Sequence, residues 1–541
     1  LSLVCLQRGS PSHYAFQANL QIATRNGDIS MKKNHHTKFT ILLSLLLPVG
    51  LHVNGQNIGK KYPVDWEMVA KIREEGFHRS ELPNTLSYMT DVLGARLTNS
   101  EDMRRAQTWA MDELKRIGLK NRKIEPFMDY GVSWDNTYFS LHLLEPDYQV
   151  MVGYPIAHTP GITGRKKLEV VIADIKTKAD REEFKGKLKR KAVLATPPPA
   201  IDLTRYSEGV QRWSDEELRE KAEQTLPPGP RKPRSPANPD LITNVERNTF
   251  FKEEGAVVIL ESRSGWPGAV RGFARPGAKI DKWAREETMA HLPIVAVNPE
   301  HYNRMYRILE RDIPVKIQVE IETTVGKKVQ KASNVLGEIP GSNKKNEVVM
   351  LGAHFDTWHA SPNASDNTSG VAVMLEAVRI LKVVGAKPKR TIRIALWSGE
   401  EQGIHGSREY VYKHFGNPDD PEIGIKPDYK KISAYFNQDY GPGQYRGIYL
   451  QENEHVRQIF TSWMEPFKDL GMTTISSQSV GSTDHVSFDR IGLPAFQFLQ
   501  DRIGGTGGHT NMDYYDTLPI DDLKKNAVIM ASFVYHTAML K

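Results

Sequence analysis

From residue 332 to the C-terminus, short apolar runs alternate with helical patterns. The runs 347–353, 391–398, 432–438 and 495–500 have the length of strands, and segments 369–384, 407–414, 452–470 and 521–539 have the spacing of helices. Alternation of this kind restricts the chain to an α/β, three-layer sandwich with a mostly parallel central sheet and helices on both faces. Ligands of such sheets bind beyond the carboxyl ends of the strands, so the chemistry is sought there.

Acidic and histidine residues gather at those ends. The first run leads into His354, Asp356 and, after a polar loop, Asp366; the second into Glu400 and Glu401; the third into Asp439; the last into a glycine-rich loop, 504–508, and His509. Singly, each has an ordinary explanation, such as a strand-end histidine, a solvated acidic pair or a helix-capping aspartate. Jointly, His354, Asp366, Glu401, Asp439 and His509 offer the N and O donors that two divalent ions sharing one carboxylate require. Asp366, on the loop of His354, is the expected bridge; His354 and Asp439 complete one ion, Glu401 and His509 the other. Asp356 is expected to accept the imidazole N–H of His354. Glu400 adjoins a ligand but projects differently, and is expected to be the general base for a water attacking a carbonyl. Thr368 and Ser369 are natural N-caps for the helix over 371–384. His359, His405 and His485 are expected at the periphery, and Trp358 either packs or walls the pocket.

Elsewhere the sequence mainly excludes. Lys and Arg number 72 against 65 Asp and Glu, and residues 1–55 hold five of the bases and one of the acids, so the rest is nearly neutral. No clustered basic face points to nucleic acid. Residues 1–30 read as an upstream extension. From Met31 a signal peptide is expected over 31–55, with Lys32, Lys33 and Lys38 ahead of an apolar stretch, 39–53, and Gln56 as the mature N-terminus, which places the protein outside the cell or in the periplasm. Pro48 and Gly50 interrupt that stretch, so no stable membrane span is expected. The single cysteine, Cys5, precedes the expected start, which excludes thiolate ligands, a cysteine nucleophile and disulfides.

The expected domains are 56–154, the N-terminal part of the catalytic domain, 155–325, an inserted mainly β domain, and 326–541, the catalytic domain proper. Ser100 should cap a helix closed by Gly118. Within the insertion, 201–240 combines a charged helical piece, 214–224, with six prolines from Pro227 to Pro239, and reads as a surface excursion.

The motifs HFD at 354–356, SDNTSG at 365–370, SGEEQGIHGS at 398–407, NQDY at 437–440 and HTNMDYYDTL at 509–518 resemble the secreted exopeptidases with paired metals, the family of bacterial leucyl aminopeptidases and carboxypeptidase Q. Segment 86–114 is similar to the carboxypeptidase Q branch, and the insertion resembles its protease-associated domain. The resemblance implies a phosphorylase/hydrolase-like zinc exopeptidase fold, two Zn2+ per chain and short peptide substrates cleaved at one terminus. Segment 481–485, Gly-Ser-Thr-Asp-His, has one Thr more than the family's Ser-Asp-His loop, so substrate contacts of Asp484 or His485 are not carried over. Two other readings are a single-metal acyl-transfer enzyme of the glutaminyl cyclase kind and a non-catalytic binding protein on a peptidase fold; the complete donor set and base favour the two-metal hydrolase. Amino- versus carboxypeptidase action, and a monomer versus a homodimer, stay open.

Overall fold

The computed structural model describes residues 62–204, 210–224, 238–278, 283–418, 420–503 and 507–541. The expected extension and signal peptide lie outside the described residues, as does 225–237 of the proline-rich excursion.

One sheet of eight strands carries the site. In chain order its strands are β1 (Lys120–Gly131), β2 (Gln330–Ile339), β3 (Lys344–His354), β4 (Arg390–Trp397), β5 (Ile432–Asn437), β6 (Tyr445–Tyr449), β7 (Thr474–Ser476) and β8 (Ala495–Gln500). Their spatial order is β1-β2-β4-β3-β5-β8-β6-β7. The four central strands, β4, β3, β5 and β8, are mutually parallel, so their carboxyl ends come out on one edge. β1 and β2 run antiparallel to their neighbours, and β6 runs antiparallel to β8 but parallel to β7.

The two-residue alternation of β3 divides its side chains between two cores. Val349, Leu351 and Ala353 pack with α4 (Ser369–Val383) and α6 (Ile520–Met539), whereas Val348 and Met350 pack with Trp397, Tyr410 and Phe488 on the other face. α4 lies within the first core and buries residues all round, which is why its sequence is apolar rather than amphipathic. Two other helices matter below: α2 (Glu101–Arg116) and, within the expected insertion, α3 (Asp215–Glu223); α1 (Trp66–His78) precedes them, and α5 (His405–His414) covers the second face. Ser100 caps α2 through a bond from the Met103 N–H, and Gly118, at φ +87°, comes just past its end.

A second eight-stranded sheet is more helical in its company than the strand-rich sequence leads one to expect. Its strands Lys166–Ile172, Ala192–Leu194, Val258–Glu261 and Ile294–Val297 run parallel, and helices Asn244–Glu253 and Pro299–Leu309 lie between them and after them in the chain. Strand Trp134–Glu145, read from the sequence with the catalytic part, pairs in this sheet with Lys316–Val325. No helix among the described residues is long and apolar enough to cross a membrane.

Candidate metal centre

Each candidate residue stands where a central strand ends. β3 delivers His354, the turn after β4 delivers Glu400 and Glu401, Asp439 lies just beyond β5, and the loop after β8 brings His509. Asp366 lies between β3 and α4, and the peptide to Asn367 is cis. The side chains form two groups, His354 with Glu400 and Asp439, and Asp366 with Glu401 and His509, with the ligand atoms of each within 4.8 Å of one another.

Asp366 reaches both groups. Its Oδ1 lies 3.3 Å from His354 Nε2, and its Oδ2 lies 2.9 Å from His509 Nε2. Glu401 Oε2 is also 2.9 Å from His509 Nε2, and Asp439 Oδ2 is 3.7 Å from His354 Nε2. Glu400, expected to stand apart, has its Oε2 4.0 Å from the same nitrogen.

The donor set fits divalent cations. His354 is buried, and its Nδ1 bonds the Asp356 carbonyl at 2.9 Å, so the proton sits on Nδ1 and the lone pair on Nε2. That Nε2 faces three carboxylates yet makes no well-aligned hydrogen bond, and the buried Oε1 of Glu401 is likewise unbonded. Four carboxylates against two imidazoles concentrate negative charge. Burial pulls the His509 ring down, but bonds to Asp366 and Glu401 outweigh it and push the ring up to about 10. Burial pushes Glu401 up to about 7, with the Asp366 charge adding to it. Glu400 is raised well above the usual carboxylate range, first by burial and then, against the pull of His354, by Asp439. A cation between such groups is the partner that relieves this charge.

Two expectations need correction. The Asp356 carboxylate does not hold the imidazole, since the chain has already turned and its main-chain carbonyl takes the Nδ1 proton, leaving Oδ1 3.9 Å away. Instead the carboxylate accepts the Glu400 and Glu401 N–H groups, at 3.2 and 3.3 Å, and so fixes the turn carrying both. Nor does Thr368 cap α4 with its side chain. Its hydroxyl accepts from Arg96 Nη2 at 2.6 Å, while Asn367 Oδ1 takes the Gly370 N–H at 3.0 Å.

Three supporting residues escaped the sequence reading. Arg96 is fully buried without a carboxylate partner, and its guanidinium ties Phe355 O, Gly94 O and Thr368 together on both sides of the His354 to Asp366 loop. Thr98 touches Asp356. Asp513, pushed by burial up to about 7, accepts the Ser365 N–H and hydroxyl, both at 2.8 Å, beside Asp366. Its spacing from His509 within one motif was a usable signal; Arg96 and Thr98 are too distant in sequence to give one. His359 bonds Pro155 O, His405 bonds Gln402 O and His485 bonds Val480 O, each outside both groups. Trp358 packs edge-on against Phe273.

Residues 334–534, which supply every one of these six side chains, match peptidase family M28. They form a peptidase family M28 domain. Carboxypeptidase Q of Bos taurus is 25% identical over 458 residues, covering 82% of each chain; two other carboxypeptidase Q sequences are matched over 43% and 52% of their length, so the chain spans about half of those relatives. In fold, the chain is similar to a peptidase M28 precursor from Shewanella amazonensis, with TM-score 0.60, 21% identity and coverage of 88% and 97% of the two chains. It is also similar to a zinc aminopeptidase from Bacillus subtilis, with TM-score 0.54, 16% identity and coverage of 85% and 95%.

Proposed function

We propose that this protein is an exported, two-zinc exopeptidase that removes the N-terminal residue from short peptides. The observation that carries the reading is Asp366, whose two oxygens face His354 and His509 separately, as a bridging carboxylate must. His354, Asp366 and Asp439 would hold one ion and Glu401, His509 and Asp366 the other. Borderline N and O donors of this kind suit zinc, as the name of the Bacillus subtilis relative in fold also indicates. Bound there, the ions would polarise the scissile carbonyl and acidify the attacking water.

The chain's own residues do the rest. Glu400, buried and raised in proton affinity, takes a proton at its carboxylate from the attacking water and returns it to the leaving amine. Asp356, through two backbone N–H groups, holds Glu400 and Glu401 in register and acts as a positioning residue. The pocket of about 340 Å3 over the site is lined by Asp366, Glu400, Glu401 and Asp439, with no Lys or Arg among the described lining residues. Two bound Zn2+ would take up the charge of these four carboxylates, so the choice of the aminopeptidase direction over the carboxypeptidase one rests instead on the zinc aminopeptidase of Bacillus subtilis that the chain resembles in fold. The inserted second sheet takes the place of a protease-associated domain in this reading.

A matched dipeptide series tests it, with free, N-acetylated and C-amidated ends, using zinc-loaded protein. The C-amidated series should be hydrolysed and the N-acetylated series refused. The reverse pattern would assign carboxypeptidase action, and no hydrolysis of any series would remove the exopeptidase reading.

A further inference from the structure

The charged piece of the excursion does not stand off the molecule. Gln211 and Val210 pair with Arg502 and Ile503 in a two-residue antiparallel ladder, directly after β8 on the site edge. Three donors converge on the fully buried Asp501 carboxylate: Arg212 Nη1 at 2.9 Å, the Trp213 N–H at 3.0 Å and Arg446 Nη1 at 3.1 Å. Arg212 Nη1 also lies 2.8 Å from Asp522. Trp213 Nε1 donates to Gln500 O at 2.7 Å. α3 begins at once, started by a capping box of Ser214 and Glu217, and buries Leu218 against Tyr449 and Leu499.

This ladder decides which side chain faces the substrate. Successive strand residues point to opposite sides. Ile503 lines the pocket over the metal centre, the one aliphatic side chain among its described lining residues. Arg502 turns away, with its guanidinium 4.4 Å from the centre of the Trp213 ring, while Lys221 Nζ lies 4.2 Å from the same ring. A slip of one residue would exchange the two, putting a cation in an otherwise acidic pocket. Trp213 therefore binds the one arginine that adjoins the wall and keeps it outside.

Building on the aminopeptidase reading above, we infer that Arg212 and Trp213 are positioning residues, supplied by the insertion, which hold Ile503 as an apolar specificity wall and Arg502 out of the pocket. The ligand class set by this wall is a peptide whose end residue has an uncharged, apolar side chain.

Trp213→Ala, Trp213→Phe and Ile503→Ala, each loaded with zinc, are compared with wild type on free dipeptides beginning with Leu or with Gly. Trp213→Ala should raise KM for the Leu substrate about tenfold, leave kcat within about twofold and narrow the Leu-to-Gly preference, while Trp213→Phe restores most of it. Ile503→Ala should narrow the preference in the same way with the strap intact. Active variants with wild-type KM and preference, differing only in melting temperature, would overturn the inference. Wild-type protein that cleaves no dipeptide would instead overturn the activity reading on which it rests.

Discussion

The Thr98 hydroxyl donates to Asp356 Oδ2 at 3.0 Å and accepts the Gly399 N–H at 3.0 Å. One side chain from the loop before α2 thus braces the acidic residue after β3 and the turn after β4 that carries Glu400 and Glu401. Thr98→Val keeps the shape and removes both bonds. It should destabilise the fold by about 1–3 kcal/mol, because a buried carboxylate and a buried N–H each lose a partner. It should also lower kcat/KM about 10- to 100-fold, as is usual for groups that orient a metal site. Wild-type kcat/KM with lowered stability would make Thr98 a purely structural residue.

Glu400→Gln preserves size and removes the base. Turnover should fall about 100- to 10,000-fold. Because Glu400 lies in the His354 and Asp439 group, zinc content measured by elemental analysis separates its two conceivable roles. Two ions retained with turnover lost supports the base, whereas loss of one ion would make Glu400 a ligand.

Asp366→Ala should lose both ions, since the same carboxylate serves both imidazoles. Chelation of wild type should abolish activity and added zinc restore it. A variant that still holds two zinc ions at wild-type affinity would defeat the bridging assignment.

Glu125, far from the site, governs acid stability. Burial pushes its carboxyl up, but bonds from His414, Lys123 and Lys413 outweigh this and hold it well below the usual range. His414 Nε2 lies 2.6 Å and Lys413 Nζ 2.8 Å from its Oε1. A lowered folded value stabilises above the unfolded carboxylate's pKa, and this contribution is lost progressively as pH falls from there through the folded value. Wild type should therefore lose melting temperature below about pH 5 more steeply than Glu125→Gln. Parallel pH profiles for the two proteins would dismiss the role.

Much of the site was legible because a parallel sheet converts position in sequence into position in space. His354, Glu401, Asp439 and His509 each come shortly after an apolar run of strand length, and Ala495–Gln500 has the bounds read from the sequence. Asp356 was misjudged because proximity in sequence suggested the imidazole, whereas the turn after His354 directs its carboxylate to the Glu400 backbone. Arg96 and Thr98 act across more than two hundred residues, and no local pattern marks such a reach. The strands Ala192–Leu194 and Val258–Glu261 are legible as the short β-like runs 192–195 and 256–260, but runs so short do not show that the two strands pair parallel. The strap at 210–223 was hidden by its composition, since charge and neighbouring prolines look the same whether a segment is solvated or pinned.

Beside the ladder at 210–211, residues 270–273 also tie to the site through main chain. The Gly272 N–H bonds His509 O at 3.2 Å, the Asn511 N–H bonds Val270 O at 3.0 Å, and Phe273 stands edge-on to the His509 ring at 5.4 Å. The segment 155–325, expected from the sequence to be an insertion, is thus not a cassette that could be excised or transplanted with the rest left whole. Cutting it out at its ends would also strip the backing from a metal-facing histidine, so a shortened protein would have to rebuild that support before it could work.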